Sequence, residues 1–251
     1  MKLNLGKKVV LVTGGGRDIG KEISNTFAYE GASVAINFNN SSKDAEQTAE
    51  EIISKGGVAK IFKADITKYN EVLKMVQSIK KDLGSIDFLI NNAGYTKIQR
   101  FVESNVNDWD KQIDTSLKGA INCCHAVAPD MIEKQFGKII NLVGDSSRIG
   151  EANLSATAAA RGGTIALGKS LAKEFGRSNI TVNTVSLGLV ETTHTDKSFL
   201  EKNKEKILKS YPLKRLGKPK DVAPMVVFLC SNNADWITGQ VFSINGGFCM
   251  V

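Results

Sequence analysis

The feature that most constrains the fold of this chain is a regular alternation of short apolar runs with longer segments of helical periodicity. The apolar runs are rich in β-branched residues, and their length is typical of strands buried in a sheet. Because few of their residues are polar, they indicate strands covered on both faces, as in a parallel sheet. The predicted strands span residues 9–12, 34–36, 60–62, 88–90, 139–143, 180–185 and 241–244.

Between these runs, apolar residues recur every three or four positions and form the stripes of amphipathic helices. The stripes are Ile19, Ile23 and Phe27; Ala45, Ala49, Ile52 and Ile53; Val72, Val76, Ile79 and Leu83; and Val222, Val226 and Leu229. Connections between parallel strands are right-handed, which leaves few topologies. The pattern therefore predicts an α/β fold: a single Rossmann-like, doubly wound sheet of seven parallel strands with helices on both faces. Its ligand crevice should lie at the carboxyl ends of the strands.

No shift in composition marks a boundary within the 251 residues, so we predict that residues 1–251 form one domain. One segment interrupts the alternation. Residues 188–213 follow a predicted strand and contain Thr192, Thr193, His194 and many lysines. Because loops at the carboxyl ends of the strands lie over the crevice, we expect this segment to be a mobile lid.

The chain carries a formal charge of +7, from 33 Lys and Arg against 26 Asp and Glu. Such an excess attracts anionic ligands such as a dinucleotide, coenzyme A or an acidic carrier protein. Alternatively, the lysines merely keep helix faces solvated. The basic residues are scattered and accompany no nucleic-acid-binding motif, which argues against nucleic acid as a partner. No run approaches the roughly 20 apolar residues of a membrane span, so we expect a cytoplasmic protein without a membrane partner.

The four cysteines are Cys123, Cys124, Cys230 and Cys249. They lie in apolar surroundings and lack the spacing of metal ligands, and a chain of this size does not need disulfides for stability. We expect reduced thiols in the core or at an interface, and no metal site.

A glycine-rich segment, TGGGRDIG at residues 13–20, lies directly between the first predicted strand and the first helical stripe. Such a turn lets backbone N–H groups approach a pyrophosphate at the positive end of the helix dipole. A glycine cluster alone can also be only a tight turn. Its position between strand and helix favours a dinucleotide-binding loop.

Four motifs together carry a resemblance to a known family. They are TG-x5-G at residues 13–20, NNAG at 91–94, ITGQ at 237–240 and NGG at 245–247. With them, nearly the whole chain resembles the short-chain dehydrogenase/reductase family, and most of all its 3-oxoacyl-acyl-carrier-protein reductase type. The resemblance implies a nicotinamide-dependent oxidoreductase that acts on a small molecule or an acyl thioester. It also implies a homotetramer held by the last strand and by the long helices around residues 107–134 and 152–176.

The resemblance indicates NADP(H) as the cofactor, with NAD(H) as the alternative. In the family, an acidic residue ends the second strand when NAD is preferred, because a carboxylate repels a 2′-phosphate. This chain has AINFNNSS at residues 35–42 and no acid before Asp44. The implied cofactor-binding residues are Gly14, Gly16, Arg17, Asp18, Ile19, Gly20, Asn37, Asn39, Asn40, Asp65, Ile66, Asn91, Ala93, Gly94, Arg161, Gly188 and Thr192. Of these, Asp65 would meet the adenine and Thr192 the carboxamide or a phosphate.

One departure from the family lies within the glycine-rich segment. The family's middle glycine is replaced by Asp18. Its carboxylate could cap the following helix. Close to a diphosphate, the same charge would weaken binding unless Arg17 offsets it.

The family's catalytic residues are also replaced. Residues 169–174, KSLAKE, align this helix with the family without a gap. Counting from them, the family's Tyr falls on Thr157, its Lys on Arg161 and its Ser on Gly144, while its upstream Asn falls on Ser116. We therefore expect the four catalytic positions to be Ser116, Gly144, Thr157 and Arg161, all substituted.

These replacements differ in their chemistry. Thr157 is a far weaker acid than a phenol, and Gly144 has no side chain, whereas Arg161 stays charged and could still bind ribose hydroxyls. Loss of acid catalysis typically costs roughly 100- to 10,000-fold in rate. We therefore expect the carbonyl reduction typical of the family to be severely reduced. Possible replacements are Asp145, Ser146, Ser147, Tyr95 and His194, although each also has a purely structural explanation.

Three hypotheses follow. The chain is an NADP(H)-dependent oxidoreductase with an altered site, or a noncatalytic dinucleotide- or acyl-binding member that serves as a sensor or silent subunit. The third hypothesis, which rests on Asp18, is a purely structural protein without cofactor. The sequence does not name a substrate, since pocket side chains vary freely on one fold.

Overall fold

The computed structural model describes residues 3, 5–193, 195 and 197–251, and its centre is one sheet of seven parallel strands. The strands are β1 (Val9–Val12), β2 (Ser33–Phe38), β3 (Val58–Lys63), β4 (Phe88–Asn91), β5 (Gly137–Gly144), β6 (Ile180–Leu187) and β7 (Val241–Ile244). Their order across the sheet is β3-β2-β1-β4-β5-β6-β7. The predicted doubly wound α/β fold is confirmed.

The helices lie on both faces of the sheet. They are α1 (Asp18–Tyr29), α2 (Ser42–Ser54), α3 (Tyr69–Asp82), α4 (Val106–Ile113), α5 (Gly119–Glu133), α6 (Ser146–Ile149), α7 (Ser155–Phe175), α8 (Lys197–Lys209) and α9 (Pro219–Leu229). Successive side chains of a strand point to opposite faces. Accordingly, Val10 and Val12 of β1 pack with α1, α2 and α9, whereas Val9 and Leu11 pack with α3, α5 and α7. Two apolar cores thus hold the sheet from either side.

The strand order reverses direction between β1 and β4, which are direct neighbours in the sheet. From β1 the chain proceeds outward to β2 and β3, and it then returns to β4 and continues to the other edge. The loops that follow β1 and β4 therefore diverge to opposite faces and leave a crevice between them. This crevice lies between the TGGGRDIG and NNAG segments.

All seven predicted strands exist, and most extend beyond their apolar centres. β2 begins at Ser33 and ends at Phe38, and its register pairs Asn37 with Phe62 of β3. The added residues are polar or partly exposed, so hydrophobicity alone did not reveal them. The chain's edge strand β3 has mostly exposed or half-buried side chains.

The four cysteines are buried and unpaired, as expected. Burial raises the pKa of the Cys124 thiol to about 12, and it raises the pKa of Cys123 and Cys230 as well. Among the described helices, none combines the length and the apolar character that crossing a membrane would require.

Candidate functional site

The loop between β1 and α1 is packed so closely that several of its positions admit only glycine. A Cβ at Gly20 would lie 2.1 Å from the carbonyl oxygen of Gly14, and one at Gly16 would lie 2.7 Å from the Cα of Ala45. Gly14 itself has a φ of 60°, in the left-handed region. The glycines therefore let the loop fold tightly over the start of α1.

This tight loop leaves backbone donors free at the positive end of α1. The N–H groups of Gly16, Asp18 and Ile19 donate to no atom of the described residues. The first N–H groups of a helix have no partner within the helix, and the helix dipole makes this end attractive to anions. The loop can therefore accept a phosphate group.

Asp18 does not cap α1. It is the first residue of the helix, with a φ of 50°, and the cap position belongs to Arg17, whose side chain makes no capping hydrogen bond. Instead, the Asp18 carboxylate accepts the backbone N–H of Thr193 at 2.7 Å and its hydroxyl at 3.0 Å. Asp18 thus connects the glycine-rich loop to the 188–213 segment, a contact that the sequence did not reveal.

The NNAG turn after β4 is bound to the end of β1. The hydroxyl of Thr13 accepts the N–H groups of Asn92 and Ala93, each at 3.0 Å. The Asn92 amide in turn donates to the carbonyls of Thr13 and Gly14, at 2.9 and 3.1 Å. The two loops that border the crevice therefore form one hydrogen-bonded unit.

Asn91 is the last residue of β4 and directly precedes Asn92 and Ala93. Its amide Nδ2 donates to Oδ1 of Asn141 at 2.9 Å, while its own Oδ1 is buried and has no hydrogen-bond partner among the described residues. Asn91, Gly94, Ser116 and Arg161 line one cleft. A buried acceptor without a donor is rare in proteins and can be satisfied by a ligand hydroxyl.

The three asparagines near the end of β2 have different environments. Asn37 is buried, and its amide donates to the carbonyls of Phe62 and Ala64 at 3.3 and 3.1 Å. It also supports the glycine loop, because its backbone carbonyl accepts the N–H of Gly15. Asn39 and Asn40 are exposed. Of the three asparagines, Asn39 and Asn40 are therefore the two whose side chains are exposed where β2 ends.

The next two expected cofactor residues follow β3. The Asp65 carboxylate accepts both the backbone N–H and the hydroxyl of Thr67, at 3.0 and 2.8 Å. Ile66 is buried and packs so closely on Gly119 that a Cβ there would lie 2.5 Å from its Cδ1. Both residues therefore border the crevice with their side chains already fixed.

Ser116 lies in a wide π-type turn, Asp114–Lys118, which separates α4 from α5. The long helix expected around residues 107–134 is present as a continuous helical stretch, in which this turn joins α4 to α5. The Oγ of Ser116 accepts the backbone N–H of Tyr95 at 3.4 Å. Such turns are frequent at functional sites because they reorient one side chain within a helix.

Thr157 is buried on α7 and is not among the residues that line the cleft. Its hydroxyl donates to Oε1 of Gln112 on α4. The Gln112 amide donates in turn to the backbone carbonyl of Asp108 at 2.9 Å. The Thr157 proton is therefore held in an internal chain of hydrogen bonds. Nothing in the sequence marked Gln112 as its partner.

Arg161, one turn further along α7, points toward Gly144 at the end of β5. A Cβ at Gly144 would lie 2.8 Å from Nη1 of Arg161, and one at Gly94 would lie 3.5 Å from its Nη2. Nη2 donates to Oγ1 of Thr96 at 3.2 Å. The guanidinium thus occupies the place of a side chain at position 144.

The residues after Gly144 differ in their availability. Ser147 donates its hydroxyl to the Gly144 carbonyl at 2.6 Å, as a loop serine would. Asp145 is buried and accepts hydrogen bonds from Ser186 and Asn245, both at 2.5 Å. The Oγ of Ser146 lies 3.6 Å from the Cβ position of Gly144. Both this hydroxyl and Nη1 of Arg161 therefore border the Cβ position of Gly144.

Two other expected replacements lie elsewhere. Tyr95 is half-buried, and Lys111 Nζ lies 4.1 Å from the centre of its ring. His194 lies outside the described residues.

The segment 188–213 is anchored at both of its ends. Tyr211 is buried, and its hydroxyl accepts the backbone N–H of Leu189 at 2.8 Å. The backbone N–H of Gly188 donates to Ile244 of β7 at 3.3 Å. Between the anchors, Thr192 donates its N–H to the hydroxyl of Thr195 at 2.8 Å. The segment therefore starts from the edge of the crevice.

Comparison with known proteins gives a consistent result. A family model described as enoyl-(acyl carrier protein) reductase matches residues 14–249. The 3-oxoacyl-(acyl-carrier-protein) reductase FabG of Staphylococcus epidermidis is 40% identical over 246 residues, covering 97% of this chain and 99% of the relative. The protein of the same name from Thermotoga maritima is 36% identical over 245 residues, covering 98% and 99%.

Solved structures agree over the same extent. A proposed gluconate dehydrogenase from Agrobacterium tumefaciens superposes with a TM-score of 0.95 at 28% identity, covering 100% of this chain and 99% of that one. A proposed short-chain alcohol dehydrogenase from Sinorhizobium meliloti gives 0.94 at 29% identity, covering 99% and 98%. The chain therefore belongs to the short-chain dehydrogenase/reductase family of oxidoreductases.

Proposed function

We propose that this chain is an NADP(H)-dependent oxidoreductase whose catalytic site departs from that of its family. The observation that carries the proposal is the glycine-rich loop before α1, where the N–H groups of Gly16, Asp18 and Ile19 have no partner in the described part of the chain. The buried, unpartnered Oδ1 of Asn91 fits a ribose hydroxyl in the same crevice. The residues present therefore suit a dinucleotide.

The preference for NADP(H) is supported by the surface at the end of β2. Asn39 and Asn40 are exposed there, and Arg17 is exposed at the start of the neighbouring helix. Neutral donors together with a guanidinium suit a 2′-phosphate, which an acid at this place would repel. The other cofactor contacts that we propose are those of Gly14, Gly20, Asp65, Ile66, Ala93, Gly94, Arg161, Gly188 and Thr192.

A bound nicotinamide would supply or accept the hydride, and the chain's own residues would manage the charge on the substrate oxygen. Arg161 would supply positive charge to an anionic group of the substrate, since its guanidinium lies beside Gly144. Thr157 is a poor proton donor, both because of its chemistry and because its hydroxyl is bonded to Gln112. We propose that solvent or Tyr95 supplies the proton.

The substrate that we propose is a carbonyl compound, either a small molecule or an acyl thioester like those named for the relatives. We further propose that residues 1–251 act as one domain with a lid at 188–213, and that the chain forms a homotetramer. Apolar side chains exposed on and before α4, namely those of Phe101, Val102 and Val106, support subunit contacts there.

A second candidate function is that of a noncatalytic family member that binds a dinucleotide or an acyl ligand. The internal hydrogen bond of Thr157 favours it, because the hydroxyl nearest to the family's phenol serves the packing of α7 on α4. A sensor or a silent subunit of a mixed oligomer would need binding but no proton donor.

Calorimetric titration with NADPH, followed by NADPH oxidation with a panel of carbonyl compounds, separates these functions. If the chain is an oxidoreductase, we expect it to bind NADPH with micromolar affinity and to oxidise NADPH with at least one carbonyl compound. Binding without turnover on the whole panel would favour the noncatalytic function. Absence of NADPH and NADH binding would contradict the oxidoreductase and leave only an acyl ligand for the noncatalytic function. The double variant Thr157→Tyr with Arg161→Lys serves as a positive control, since restored family groups should raise carbonyl reduction on an intact scaffold.

A further inference from the structure

The guanidinium of Arg161 is a half-buried positive charge without an acidic partner among the described residues. Within the described part of the chain, no ion pair includes Arg161. Its hydrogen bond to Thr96 uses one of five N–H donors. Burial lowers the pKa of Arg161, and no neighbouring carboxylate counteracts this effect. Most of its donors are therefore available to a ligand.

Two glycines, which have no side chains, border the guanidinium. Gly144 follows β5 and Gly94 follows β4, and side chains at these positions would begin 2.8 and 3.5 Å from the two Nη atoms. The acid that directly follows Gly144, Asp145, accepts hydrogen bonds from Ser186 and Asn245. A ligand group that enters the crevice beside Gly94 and Gly144 can therefore reach Arg161.

The chemistry of that ligand group follows from the charge. A half-buried cation without a partner has lost part of its hydration, and a bidentate carboxylate compensates this loss better than a single carbonyl oxygen does. The ribose of a dinucleotide offers neutral hydroxyls and leaves the charge uncompensated. An acyl thioester is likewise neutral at its reactive end.

We propose that Arg161 binds the carboxylate of a small oxo or hydroxy acid at the inner end of the cleft. This inference rests on the proposed oxidoreductase function and narrows its substrate to a free acid in place of a thioester. Gly144 is the specificity-determining partner of Arg161, because any side chain there would push the guanidinium aside.

The test compares two probes of nearly equal size on the full chain without dinucleotide. Acetoacetate carries the carboxylate, and methyl acetoacetate replaces it by a neutral ester. At constant ionic strength, calorimetry or ligand-observed NMR should show at least about tenfold tighter binding of the acid. Arg161→Gln should abolish the difference between the probes, and Gly144→Ser should reduce it, because the added side chain displaces the guanidinium without removing its charge. Arg177→Gln, an exposed arginine after α7, is the matched control and should change nothing.

Equal binding of acid and ester, or a preference for the acid that survives Arg161→Gln, overturns the inference. Inorganic phosphate is the third probe, and binding tighter than that of acetoacetate would also overturn the assignment to a carboxylate. Thermal melts establish that the variants are folded. NADPH affinity is titrated separately. Failure of acid binding with intact NADPH binding would overturn only this inference, whereas loss of NADPH binding would overturn the proposed cofactor function.

Discussion

Asp18 has a backbone conformation that most side chains avoid. Its φ of 50° lies in the left-handed region, which glycine, asparagine and aspartate tolerate best. The family's glycine is thus replaced by one of the few residues that keep the loop's shape. What changes is the charge, because a carboxylate now lies among the free donors at the start of α1.

We predict that Asp18→Gly and Asp18→Asn both increase NADPH affinity, because each removes a negative charge near the diphosphate while keeping a tolerated φ. A repulsion of about 1 kcal/mol corresponds to a roughly fivefold change in dissociation constant, measured by calorimetry. Glu174→Gln, at an exposed acid near the far end of α7, should leave the affinity unchanged. Unaltered binding in both Asp18 variants would show that the carboxylate is remote from the ligand.

At the scale of single residues, the sequence revealed local requirements but not distant partners. Gly14 and Gly20 were predictable because Gly14 has a positive φ and the nearest contact of Gly20, the carbonyl oxygen of Gly14, arises within the same loop. The bond from Thr193 to Asp18 joins positions 175 residues apart, and that from Thr157 to Gln112 spans 45. Such pairs depend on the paths of two loops or the packing of two helices, which no local pattern encodes.

The β1-loop-α1 element should tolerate no added methyl group at Gly20. We predict that Gly20→Ala displaces the loop, lowers the free energy of unfolding by about 1–3 kcal/mol and abolishes NADPH binding. Gly176→Ala is the control, since nothing lies within 4 Å of a Cβ there and its φ is −56°. Urea denaturation and calorimetry measure both effects. A Gly20→Ala protein that melts and binds like wild type would show that the loop adapts.

Strands and helices were predictable where apolar residues recur at regular spacing, and less so where this spacing is interrupted. The seven strands followed from apolar runs, because strands covered on both faces must be apolar throughout. The π-type turn Asp114–Lys118 was missed, since one extra residue in a helical turn barely disturbs the apolar spacing of α4 and α5. It nevertheless determines where Ser116 lies.

The topology of the fold could be predicted from the alternation of strands and helices and from the right-handed connections between parallel strands. The assembly of the chains remains a prediction. We predict that light scattering shows four chains, each of 27.1 kDa. Ile121→Lys on α5, whose side chain is 42% exposed, should reduce this mass by charging a subunit contact. Ile53→Lys on α2, at 55% exposure, lies outside the expected contacts and should keep it. A wild-type mass of one chain would contradict the tetramer.

The bond between Asp18 and Thr193 also has a thermodynamic consequence. Any ligand that needs the Thr193 donors must compete with an internal acceptor, so its apparent dissociation constant equals the intrinsic one divided by the fraction of molecules in which this bond is open. Occupancy of the crevice and release of the 188–213 segment are then linked equilibria. Hydrogen exchange at the Thr193 amide should report both at once.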